Sequence, residues 1–190
     1  MTCIVGLVDP KLKEMWIGGD SAGVRTSGNY ALRIRSDEKV FVNNDFIFGF
    51  TSSFRMGQLL RYSFMPPEKN KYLSNYQYMT TVFIDNVRQC FKRGGILRIE
   101  DDVESGGGFL VGWRGTIYSI ESDFQVGVSV HNYYSMGCAE DVAMGALYAL
   151  DNVRYLKMKP QNKVIAALMA AEEFNSCVRR PFRLAKLKYE

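Results

Sequence analysis

Cys3-Ile4-Val5-Gly6-Leu7-Val8, then Asp9-Pro10-Lys11, then Met15-Trp16-Ile17-Gly18, is the stretch on which the architecture turns. The first apolar run has strand length, Asp9-Pro10 supplies turn chemistry, and a second apolar run returns, so a β-hairpin is predicted at the start of the chain. Outward from it, a Gly- and Ser-containing segment over Ser21 to Asn29 leads to a strand expected near Tyr30 to Ile34. Lys39-Val40-Phe41-Val42 and Phe46-Ile47-Phe48-Gly49-Phe50 flank Asn43-Asn44-Asp45, a second hairpin signal.

From Ser53 the period changes. Met56, Leu59, Leu60, Ser63 and Phe64 recur at helical spacing until Pro66-Pro67, and Met79, Val82, Phe83, Val87, Cys90 and Phe91 mark a second helix closing at Gly94-Gly95. The acidic run Glu100, Asp101, Asp102, Glu104 reads as a solvated loop. Phe109 to Trp113, an Arg114-Gly115 turn and Thr116 to Ile120 predict another hairpin, with a further strand around Gln125 to Val130. Val142, Ala143, Ala146, Leu147 and Leu150 predict a third helix with Glu140 and Asp141 at its dipole-positive start; a fourth runs from about Asn162 through Ala171, and a last extended segment follows. Strands, two helices, strands, two helices and a closing strand argue for antiparallel sheets covered by helices. The expected fold is α+β, a four-layer αββα sandwich in a single domain spanning residues 1–190.

Composition narrows the function classes. The chain has 190 residues, 47% of them hydrophobic, enough for a sizeable core, and its net charge of +4 is spread among mixed signs, which argues against nucleic acid as a partner. The basic cluster Arg179, Arg180, Arg183, Lys186 and Lys188 alternates with apolar residues and reads as the solvated face of a strand. Cys3, Cys90, Cys138 and Cys177 are far apart, so neither a disulfide framework nor a zinc site is indicated and a reducing cytoplasm suits them. His131 is the only histidine, which excludes His-rich metal sites. Gly106-Gly107-Gly108 lacks the Lys-Ser/Thr of a phosphate loop. No signal peptide or membrane span is expected.

Met1-Thr2-Cys3-Ile4-Val5-Gly6, Gly18-Gly19-Asp20-Ser21-Ala22-Gly23, Lys39-Val40 and Gly49-Phe50-Thr51-Ser52-Ser53 resemble the successive N-terminal blocks of proteasome β-subunits, most of all the bacterial HslV peptidase. Phe109 to Glu121 is similar to that family's middle hairpin, and Met136-Gly137-Cys138-Ala139 with the Ala-rich segment after it is similar to its glycine-serine-glycine turn and helix. Short bacterial and phage proteasome-like proteins share these features. The resemblance implies an N-terminal-nucleophile (Ntn) hydrolase acting as a threonine endopeptidase on peptides or unfolded proteins. It also implies homo-oligomeric rings, hexameric and stacked in pairs, an AAA+ ATPase unfoldase as partner, a cytoplasmic location and no cofactor. A catalytically inactive ring or scaffold subunit and an Ntn amidase acting on a small molecule are the alternatives.

The resemblance also assigns the site. A hydroxyl needs a base beside it, and an α-amine with a pKa of about 7.7–8.0 is the main-chain group suited to that task, so Thr2 supplies both once Met1 is removed. Asp20 and Lys39 are implied as the pair that tunes the nucleophile; in isolation they read as a structural salt bridge. Ser53 is implied as the backbone oxyanion donor and is compatible with a helix N-cap. Cys138 stands where the family usually has a serine contacting the terminal amine. Asn175 or Ser176 is a candidate for the family's supporting residues, and Thr51 and Arg55 are candidates for shaping the substrate pocket. Cys3 is a nucleophile only if Met1 and Thr2 are both lost.

Overall fold

The computed structural model describes residues 2–25, 31–153 and 157–190. In chain order the elements are β1 (Cys3–Asp9), β2 (Glu14–Gly19), β3 (Ala22–Arg25), β4 (Ala31–Ile34), β5 (Val40–Asn43), β6 (Phe46–Phe50) and α1 (Phe54–Tyr62). There follow α2 (Asn75–Tyr78), a π-helical turn (Met79–Phe83), α3 (Ile84–Arg93), β7 (Arg98–Glu100), β8 (Val103–Ser105), β9 (Phe109–Trp113) and β10 (Thr116–Ile120). The chain closes with β11 (Val126–Val128), β12 (Tyr133–Gly137), α4 (Glu140–Asn152), α5 (Pro160–Phe174) and β13 (Arg183–Lys188).

One antiparallel sheet runs β12-β1-β2-β13 and the other β11-β10-β9-β6-β5. The unbroken apolar run of β1 follows from its position, because both of its faces are covered. Cys3, Val5 and Leu7 point to one side, where Ala143 and Leu147 of α4 and Val164, Ala167, Leu168 and Ala171 of α5 close the first core. Ile4 and Val8 point to the other side and meet Met15, Ile17, Val40, Ile47, Leu110 and Ile117 between the two sheets. The outer face of the second sheet carries Phe46, Phe48, Phe109 and Trp113 against Met56, Leu60, Phe83 and Phe91 of the helices. Phe46 stacks on Trp113 at 5.2 Å and on Phe83 at 5.4 Å, so large rings supply much of this layer's buried area. The layers are therefore helix, sheet, sheet, helix, as expected.

Four features depart from the sequence reading. The Gly- and Ser-containing segment after Ser21, to which the sequence assigned no element, contains β3, which pairs with β4 as a separate two-stranded arm; residues 26–30, including Tyr30 where the strand now seen as β4 was expected to begin, lie outside the described residues. The acidic run is the hairpin β7–β8, turned by Asp101 and Asp102 at φ 49° and 63°, a left-handed pair that short polar side chains tolerate. β12 was not anticipated: it pairs with β1, more than a hundred residues earlier, and no local pattern specifies such a partner. The second predicted helix is α2 and α3 joined through the π turn; its start is capped by Ser74, whose hydroxyl accepts from Gln77 N–H. Among the described residues, no helix is long and apolar enough to cross a membrane.

Candidate active site

Sheet register brings the first partners together. Cys3 lies opposite Gly137 on β12 and Ile4 opposite Gly19 on β2, so Thr2, just before β1, reaches the sheet end where Asp20 and Cys138 also emerge. Gly137 holds φ +117°, and a Cβ there would stand 2.0 Å from the Thr2 carbonyl oxygen; glycine is what lets β12 turn this closely around Thr2. The turn is tied by Cys138 N–H donating to the Thr2 carbonyl at 2.9 Å.

Lys39 arrives from the other sheet, immediately before β5, with its carbonyl bonded to Phe50 N–H. Its ammonium donates to Thr2 Oγ1 at 2.7 Å, Asp20 Oδ1 at 2.8 Å and the Ala22 carbonyl at 2.6 Å. Three acceptors match its three protons, which is the arrangement a buried charge requires. Thr2, Asp20 and Lys39 are only 4%, 1% and 2% exposed, so this polar trio is enclosed among the apolar layers. Burial pulls the Lys39 pKa below its usual 10.5, and the attraction of Asp20 works against that fall. Asp20 is itself held by Cys3 N–H at 3.1 Å and Ala22 N–H at 2.8 Å, which orient the carboxylate. A threonine oxygen that accepts from a cation is stabilised as its negative charge develops, which is the electrostatic half of a nucleophilic site.

Ser53 and Cys138 are the other two residues that the resemblance implies. The N–H of Ser53 donates to the Thr51 carbonyl at 2.7 Å, across Ser52 at φ +66°, so it is engaged in a tight turn and is not presented as an open oxyanion donor. The Ser53 hydroxyl caps α1 by accepting from Met56 N–H at 3.3 Å. Cys138, which stands where the family usually has a serine, directs its thiol to the Thr2 carbonyl at 3.4 Å and to Asn175 Oδ1 at 3.6 Å; burial raises its pKa.

Of the two support candidates, Asn175 belongs beside the site: its amide donates to the Cys138 carbonyl at 3.0 Å and accepts from Cys177 N–H at 2.9 Å. Ser176 instead meets the Cys177 sulfur at 3.9 Å. Thr51 is buried at the end of β6 next to the Gly137 turn, whereas Arg55 lines a separate cleft with Ser63, Phe64 and Arg93. His131 is exposed and stacks on Tyr133, away from the trio. Burial pushes the Cys3 thiol up to about 12, so it stays protonated as a strand residue. Sequence reading missed the Ala22 carbonyl and Phe54, whose ring centre is 5.7 Å from Lys39 Nζ; only adjacency to Asp20 and Ser53 pointed to them. Among the described residues, no group of three or more His, Cys, Asp or Glu side chains is arranged to hold a metal ion.

No protein-family model matches the chain, and comparison with curated protein sequences finds no match. Solved structures do match. BPH from Thiobacillus denitrificans in complex with epoxomicin superposes with a TM-score of 0.76 at 18% identity over 100% of both chains. HslV from Trypanosoma brucei gives 0.67 at 14% identity over 99% of this chain and 100% of that one, and Anbu, an ancestral beta-subunit from Yersinia bercovieri, gives 0.61 at 14% over 98% and 82%. The two-sheet core with its covering helices is thus the proteasome-like, Ntn-hydrolase fold that this chain shares with BPH, HslV and Anbu.

Proposed function

We propose that the chain is a threonine endopeptidase in which Thr2, freed by removal of Met1, is the nucleophile. The observation that carries the reading is the enclosed contact of Lys39 Nζ with both Thr2 Oγ1 and Asp20 Oδ1. The α-amine of Thr2 takes the hydroxyl proton as Oγ1 attacks the peptide carbonyl carbon. The C–N bond then breaks, the amine returns that proton to the leaving nitrogen, and an ester to Oγ1 remains. Water, deprotonated by the same amine, attacks the ester and releases the acid. Lys39 keeps the amine in its neutral form by like-charge repulsion and steadies the charge on Oγ1, while Asp20 keeps Lys39 oriented. For Ser53 N–H to hold the oxyanion, its bond to Thr51 must open, and substrate binding supplies the competing acceptor. Epoxomicin in the Thiobacillus structure supports a peptide-like ligand on this fold. Family resemblance further supports a homo-oligomeric ring fed by an AAA+ unfoldase in the cytoplasm.

The test is trapping with a peptide epoxyketone followed by peptide mapping. A covalent adduct on Thr2, absent in Thr2→Ala, is expected; peptide turnover that survives Thr2→Ala refutes the mechanism. The engaged Ser53 N–H specifically favours a second reading, a catalytically silent ring subunit. Intact mass separates the two, since a retained Met1 leaves no free threonine amine.

A further inference from the structure

The two-stranded arm built by β3 and β4 stands beside the site, and its two faces differ. Residues paired across an antiparallel ladder share a face, so Ala22/Ile34 and Val24/Leu32 form one side while Gly23/Arg33 and Arg25/Ala31 form the other. Arg35 joins this second side: its stem lies over Gly23, where a Cβ would come within 2.5 Å of Arg35 Cδ. Its guanidinium rests on the ring of Phe54, 3.8 Å from the centroid. Gly23, Arg25, Arg33, Arg35 and Phe54 together line an open cleft of about 310 Å3.

Among the described residues, the charge of this cleft is only partly compensated. Arg35 is neutralised by Asp37 through two bonds of 2.7 and 2.6 Å. Among the described residues, neither Arg25 nor Arg33 takes part in an ion pair, and both are exposed at the cleft. The cleft also shares a wall with the surroundings of Thr2, because the Phe54 ring that carries Arg35 at 3.8 Å from its centroid also lies 5.7 Å from Lys39 Nζ. Ala22, whose carbonyl receives Lys39, directly precedes Gly23 of the cleft lining. An extended peptide advances about 3.3 Å per residue, so side chains within three residues of a carbonyl placed at Thr2 reach the arm.

We propose that this cleft is a specificity subsite that takes an aspartate or glutamate side chain within three residues before the scissile bond, with Arg25 and Arg33 as its recognising groups. Planar guanidiniums offer paired donors that match a carboxylate, and a glutamine of equal size leaves them without a counter-charge. The assignment rests on the peptidase reading above for its register to the scissile bond.

The experiment uses matched peptides that differ only by Glu against Gln at each of the three preceding positions in turn. Turnover is followed with the parent protein and with Arg25→Gln/Arg33→Gln, and binding of the same peptides is measured with Thr2→Ala protein. At one or more of the three positions the Glu peptide is expected to bind and to be cleaved about tenfold better than its Gln partner. The double variant is expected to lose this preference, bringing the Glu-to-Gln ratio of both binding and turnover close to one. Equal binding of Glu and Gln peptides, or a preference that survives the double substitution, overturns the subsite. Glu-selective binding without any turnover keeps the subsite and removes the peptidase reading; turnover without Glu preference does the reverse.

Discussion

Asp20→Asn is the sharpest probe of the enclosed trio. The carboxylate accepts from Cys3 N–H and Lys39 Nζ on Oδ1, and from Ala22 N–H and Arg179 N–H (3.4 Å) on Oδ2. An asparagine of the same shape turns one acceptor into an NH2 donor, so one of these pairs faces a donor and Lys39 is left as a buried cation without its counter-charge. Removing one member of a buried ion pair costs about 3–5 kcal/mol. For a chain of this size each kcal/mol moves the midpoint by about 2–4 °C, so Tm falls by on the order of 10 °C. The assay is urea unfolding followed by fluorescence of Trp16 and Trp113 at fixed protein concentration, with thermal scans alongside. Lys39→Met in the same series gives the coupling: the double variant is expected to be more stable than the two single losses summed, because removing both charges leaves no uncompensated ion. A loss below about 1 kcal/mol for Asp20→Asn, or strict additivity with Lys39→Met, refutes the account of this pair as an interdependent buried unit.

Gly137→Ala places a methyl against the Thr2 carbonyl at φ +117° and is expected to lower stability by roughly 2–4 kcal/mol and to abolish epoxyketone labelling; unchanged denaturation midpoints contradict the packing argument. The pH–rate profile is expected to rise as the α-amine loses its proton, at or below about 7.7 because the Lys39 cation disfavours the ammonium form. It is expected to fall again below the ordinary lysine value of 10.5, where Lys39, its pKa lowered by burial, gives up its charge. A rate independent of pH across both limbs rules out this assignment of roles. The same lowered pKa means that the unfolded chain binds more protons than the native one between the folded pKa and 10.5, so Lys39's contribution to stability grows as pH rises through that window.

Parts of the molecule were legible because their causes are local. The run Cys3 to Val8, the Asn43-Asn44-Asp45 turn and the helical spacing of Met56, Leu59 and Leu60 each state their own conformation, and all appear as read. β12 and the β3 strand were illegible for the opposite reason: Tyr133–Gly137 and Ala22–Arg25 are short, interrupted by Gly or Ser, and strands only by virtue of β1 and β4 beside them. At the site, resemblance put Thr2, Asp20 and Lys39 on one short roster, and the fold brings those three within hydrogen-bond reach. It left open how Ser53 and Cys138 are oriented, because a position in a motif does not state which way an N–H or a thiol points.

The amino-acid sequence alone determined the order of the main hairpins and helices, the apolar stripes that build three cores, and the presence of a hydroxyl, a lysine and a carboxylate in family-like blocks. Tertiary structure alone decided that Lys39, from one sheet, inserts between Thr2 and Asp20 at the end of the other, that Asn175 closes over Cys138, and that Arg25, Arg33, Arg35 and Phe54 line one cleft. The division is physical: periodicity and turn chemistry act over a few residues, whereas a buried charge is tolerated only where distant segments deliver its acceptors together, and that meeting exists only after the sheets have packed.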